Sequence, residues 1–169
     1  MRKILYTDKD ELLQPLKQLI LKQEHKTLIA WCFMHVNEYL DIINIRYPNE
    51  KRPQVANDKV RLWAKGDIKM PEAKRAILDA HQAASLLSQD IVIEAYIRAV
   101  AQGLSTVHTP KHALGIVYYG LTALANETNI KNRTAVIDEK VKRFYETLLY
   151  WQTNTDQFYD KWAPFIIKK

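Results

Sequence analysis

The stretch that decides the fold is Ile91-Val92-Ile93-Glu94-Ala95-Tyr96-Ile97-Arg98-Ala99-Val100, followed across Ser105-Thr106-Val107-His108-Thr109-Pro110-Lys111-His112 by Ala113-Leu114-Gly115-Ile116-Val117-Tyr118-Tyr119-Gly120-Leu121. In the first run, Ile91, Val92, Ala95, Tyr96, Ala99, Val100 and Leu104 leave few helical positions for solvent, and a helix from about Gln89 to Val107 is predicted. The second run is nearly uncharged from Ala113 to Ala125. It is shorter than the roughly 20 residues a bilayer span needs, so it reads as a buried helix. Pro110 stands where that helix opens, a position that has no need of its N–H. Two buried helices joined by a polar junction form a hairpin that other helices must cover.

Working outward, punctuation marks about seven or eight helices. Asp8 with Glu11 has the form of a capping box, opening a helix to about Gln23, and Pro15 calls for a kink or a later start. A second helix is predicted from about Thr27 to Arg46, ended by Tyr47-Pro48. Pro53 opens a third, which stops at Gly66, and Pro71 opens a fourth, to about Leu87. After a loop at Asn126 to Asn129, a seventh runs from about Lys131 to Trp151, and a short last one from about Asp156 to Phe165. No stretch alternates like a strand. The expectation is an all-α, single-domain bundle around the hairpin, with the helices of 131–169 packed on the rest. Gly115 and Gly120 each cost about 1 kcal/mol of helix stability relative to Ala, and close backbone packing against a neighbour is the expected return.

The 169 residues suffice for one core without staples. Cys32 is the only cysteine, which excludes an intramolecular disulfide and suits a cytoplasmic compartment. The basic start Met1-Arg2-Lys3 runs into Asp8 and Asp10 without an apolar signal core, and no membrane partner is expected. The net charge is +6, and residues 51–80 hold eight Lys/Arg against four Asp/Glu. These charges are spread rather than clustered, without a helix-turn-helix or zinc finger, so nucleic acid is not the expected partner. Phosphate loops, paired carboxylates and Ser-His-Asp patterns are all missing, and an enzyme is not expected.

Four residues stand out as candidates for a ligand or partner site: Trp63, His81, His108 and His112. His81 falls four residues after Ile77 and three before Ala84, which puts it on the inward face of its helix. His108 and His112 have the spacing of a metal-binding pair, which Cys32 and His35 would complete. Pro110 between them argues against a shared helical face, and no cofactor or metal is expected. His112, near a helix N-terminus, should resist protonation. Cys32 with His35 could form a nucleophile and base only in an electropositive setting; a buried, inert cysteine is the expectation. The aromatics near the C-terminus are compatible with a homodimer.

Several segments resemble the Imm-5-like domain of bacterial immunity proteins. They are Leu28 to Cys32, Arg52-Pro53 with Trp63 to Gly66, Glu72 to Arg75 with Ala80 to Ala84, and Thr106 to Gly115. The resemblance covers about Leu28 to Ala125, with Pro110 as a departure from the pattern. It implies a partner that neutralises a cognate toxin by binding it, with no catalytic residues. A chain of charge +6 is no acidic mimic of nucleic acid, so an acidic toxin face is the expected target.

Overall fold

The computed structural model describes residues 4–159 and 161–168, and among them the chain is helical without a strand. The helices are α1 (Gln14–Leu21), α2 (His25–Arg46), α3 (Arg52–Lys65), α4 (Met70–Leu86), α5 (Ile91–Ser105), α6 (Ala113–Glu127), α7 (Arg133–Asn154) and α8 (Pro164–Ile167). The expected all-α bundle is thus observed, and α5 with α6 is its most extensively packed pair. α2 and α4 lie against α5, α3 against α4, and α7 against α2 and α6. Burial follows: Ile93, Ile97, Leu104, Ile116 and Leu121 have no exposed surface.

Five of the six prolines sit in first turns: Pro15, Pro53, Pro71, Pro110 and Pro164. That is why helix starts were readable. Gly66 ends α3 at φ 84°, the left-handed conformation that favours glycine. There the Asp67 N–H reaches back to Leu62 O at 2.9 Å, closing the C-terminal turn.

Two expectations need correction. The Asp8–Glu11 capping box does not form. A 3-10 turn, Glu11–Leu13, precedes α1, because Pro15 admits a regular helix only from its own first turn. Asp8 instead pairs with Lys17 at 3.5 Å, and the Asp10 carboxylate accepts the Thr7 N–H at 2.6 Å. The last helix is also not continuous. A 3-10 turn, Thr155–Gln157, stands apart from α8, and Ala163 is extended (ψ 140°), since the residue before Pro164 resists the helical region. Ala163 uses that extension to donate to Ala64 O at 2.7 Å, which docks the C-terminal segment on the end of α3. Of the segments read above, Met1–Lys3, Asp160 and Lys169 lie outside the described residues.

The hairpin glycines make room for side chains rather than for a neighbouring backbone. A Cβ on Gly115 would stand 2.7 Å from Gln102 Cβ and Cγ. One on Gly120 would overlap Tyr39 Oη and stand 2.9 Å from its Cζ.

Candidate functional site

A cavity of about 180 Å³ opens between α3, α4 and the junction of the hairpin. α3 contributes Trp63, and the junction contributes Ser105, His108 and His112. The remaining wall is one face of α4, where Met70, Lys74, Ile77, Leu78 and His81 recur at helical spacing. All four candidates from the sequence, Trp63, His81, His108 and His112, therefore meet at one place. Pro110 does break the shared helical face, since it starts a 3-10 turn, Pro110–His112, that leaves His108 outside. The bend nevertheless brings both imidazoles to the cavity.

Each wall is held from behind. Trp63 is buried, and its ring stacks on His108 at 6.2 Å and on Phe165 of α8 at 5.3 Å. His81 is fixed by Arg98 of α5, which is only 2% exposed. Arg98 Nη1 donates to His81 Nδ1 at 2.8 Å and to the His81 carbonyl at 2.9 Å, and Nη2 donates to Ser85 Oγ at 2.8 Å. A guanidinium can only donate, so His81 Nδ1 is an acceptor and the neutral ring carries its proton on Nε2. Glu94 lies 3.6 Å from Arg98 and balances its buried charge.

His112 is held by Gln102, whose Oε1 lies 2.8 Å from Nδ1. An amide oxygen only accepts, so Nδ1 bears the proton and Nε2 keeps its lone pair. Gln102 can lie there because Gly115 has no side chain, which gives a packing reason for Gly in His112-Ala113-Leu114-Gly115. The His112 pKa is lowered, as expected, but chiefly by burial and then by the charge of His108. No Asp or Glu lines the cavity, and Lys74 at its mouth makes no ion pair among the described residues.

The proposed ligand set of Cys32, His35, His108 and His112 is not assembled. His35 is fully buried between α2 and α7, 3.3 Å from Glu38 Oε2 and 3.1 Å from Thr147 Oγ1. Cys32 is equally buried, 3.4 Å from Thr106 Oγ1, and burial pushes its thiol up to about 12. Nothing electropositive offsets that burial, so a thiolate nucleophile is not available. Among the described residues, no three His, Cys, Asp or Glu side chains group closely enough to share a metal ion.

Sequence reasoning missed Lys74, Arg98, Gln102 and Phe165. Lys74 could have been found, since it precedes Ile77 and His81 by three and seven residues on one helical face. Arg98, set among apolar neighbours, was also a signal, because a buried arginine must be paired. Nothing local marks Phe165 as a partner of Trp63.

The family model described as "Imm-5 like putative immunity protein" matches residues 18–147. The chain belongs to that family. The match reaches further than the motifs did, into α1 and along most of α7, and it contains every residue that lines the cavity, though not Phe165 behind Trp63. No curated protein and no solved structure gives a significant match. No described helix is long and apolar enough to cross a membrane.

Proposed function

We propose that this protein is an immunity factor that binds a cognate bacterial toxin and neutralises it by covering its surface. The observation that carries the reading is membership of the immunity-protein family over residues 18–147. The surface around the α4 cavity is compatible with it. Met70 and Leu78 are 40% and 54% exposed, with the exposed cations Lys69 and Lys74 beside them. Apolar anchors flanked by two lysines suit an acidic partner face with an apolar centre. Catalysis is no part of the reading, since occlusion needs only contact.

The test is co-expression with toxins encoded beside its gene. Rescue of growth, together with a complex that survives gel filtration, is the expected result. Failure of both across all neighbouring toxins refutes the reading. The same chromatography of the protein alone tests the homodimer, for which exposed Tyr150 and Phe165 would supply surface. A second reading, a small-ligand domain, is favoured by the convergence of Trp63, His81, His108 and His112 on one cavity.

A further inference from the structure

We infer that the cavity between α3, α4 and the hairpin junction binds a small planar aromatic carboxylate. This site does not rest on the toxin reading, because the protein alone contains every group it needs.

Size sets the first limit. The cavity measures about 180 Å³. One of about 150 Å³ accepts a benzene ring, whereas pockets for drug-sized ligands and cofactors start at roughly 300 Å³. A single ring with a small substituent fits, and a nucleotide does not. Shape sets the second. Trp63, only 5% exposed, is fixed by its stacks with Phe165 and with the exposed His108, so a flat ligand meets a fixed aromatic wall made chiefly of the His108 ring. Ile77 and Leu78 add aliphatic wall.

Charge sets the third. The lining includes Lys74 and three histidines but no Asp or Glu. A cationic ligand would find no counter-charge, while an anion finds Lys74, which has no ion-pair partner among the described residues. Two of the lining imidazoles are tied back, His81 by Arg98 and His112 by Gln102. That part of the site is therefore formed before the ligand arrives, which lowers the ordering cost of binding.

The probe is sodium benzoate, titrated into the purified full chain and followed by tryptophan fluorescence and by the His Cε1–H resonances. Saturable binding with a Kd on the order of 1 mM is expected for so small a ligand. The bound anion should raise the lowered pKa of His112, because opposite charge favours the imidazolium. Benzylammonium, of similar shape and opposite charge, should bind at least about tenfold more weakly. Lys74→Gln should weaken benzoate by roughly tenfold. Leu78→Trp, at a half-exposed position on the rim, should block it while circular dichroism stays unchanged. Absence of a saturable response at about 20 mM benzoate overturns the proposal, as this exceeds the expected Kd roughly twentyfold. Equal binding of benzylammonium, or unchanged benzoate binding in both folded variants, overturns it as well.

Discussion

Gly120→Ala is the sharpest test of how the hairpin is packed. Gly120 lies within α6, and the space its side chain would occupy is filled by Tyr39 of α2. An added Cβ would overlap Tyr39 Oη and lie 2.9 Å from Cζ and 3.3 Å from Cε2. Tyr39 is 2% exposed and touches Tyr96 at 5.1 Å between ring centres, so it has little room to retreat. Overpacking of a tight core costs about 1–3 kcal/mol, and this overlap with a ring belongs at the upper end. Alanine returns about 1 kcal/mol of helix propensity. The net expectation is a loss of about 1–2 kcal/mol, or a fall in Tm of about 2–8 °C for a chain of this length. Tyr39→Phe supplies the control. Tyr39 Oη is buried without a hydrogen-bond partner among the described residues, so its removal should be neutral or stabilising. Because Oη is also the atom in collision, Gly120→Ala should cost about 1 kcal/mol less in the Tyr39→Phe background. Urea denaturation of the four proteins measures this coupling. A stabilising Gly120→Ala, or additive effects in the double variant, would refute the reasoning.

Three further outcomes follow from the structure. Gly66→Ala should cost about 1–2 kcal/mol by thermal denaturation, through φ 84° alone, since the new Cβ would sit at an ordinary 3.6 Å from Ala163 Cβ. Burial lowers the His35 pKa from 6.5 to about 4, so the unfolded chain takes up a proton that the folded chain refuses. Stability that is complete above pH 6.5 should thus decline by up to about 3 kcal/mol as pH falls towards 4, and His35→Gln should flatten that part of the denaturation profile. Cys32, fully buried with its thiol pushed up to about 12, should resist thiol reagents in the native protein and react only on unfolding.

Glu38, beside His35, works in the same direction. Burial alone would raise its pKa, but the His35 hydrogen bond and the charge of Lys140 outweigh that and hold it below the ordinary range. Stability from Glu38 is present above its unfolded pKa of about 4.5 and is lost as pH falls below it. Acid should therefore loosen the α2–α7 contact first, because His35, Glu38, Lys140 and Arg143 all meet there. Trp31, which donates to Phe144 O at 3.1 Å across the same contact, is a native fluorescent reporter for it.

The fold was legible where backbone chemistry is local. Prolines opening helices and Gly66 closing one are read from a residue and its immediate neighbours, and the apolar density of 91–125 names the centre without any knowledge of what covers it. The first and last elements failed for the opposite reason. Asp8 and Glu11 have the right letters for a cap, but Pro15 overrules them, and the C-terminal segment is shaped by a hydrogen bond from Ala163 to Ala64, 99 residues away in sequence (163 − 64). The site divides in the same way. Trp63, His81, His108 and His112 stood out because polar and aromatic groups interrupt helical patterns that call for core. What makes them a site is supplied at a distance: Arg98 chooses the His81 tautomer, Gln102 orients His112, and Phe165 backs Trp63. Gln102 in turn needs Gly115, so one glycine that weakens α6 is explained by the imidazole it allows to be held. A substitution at Gly115 should therefore disturb His112 as well as the helix, which a purely structural role for the glycine would not require.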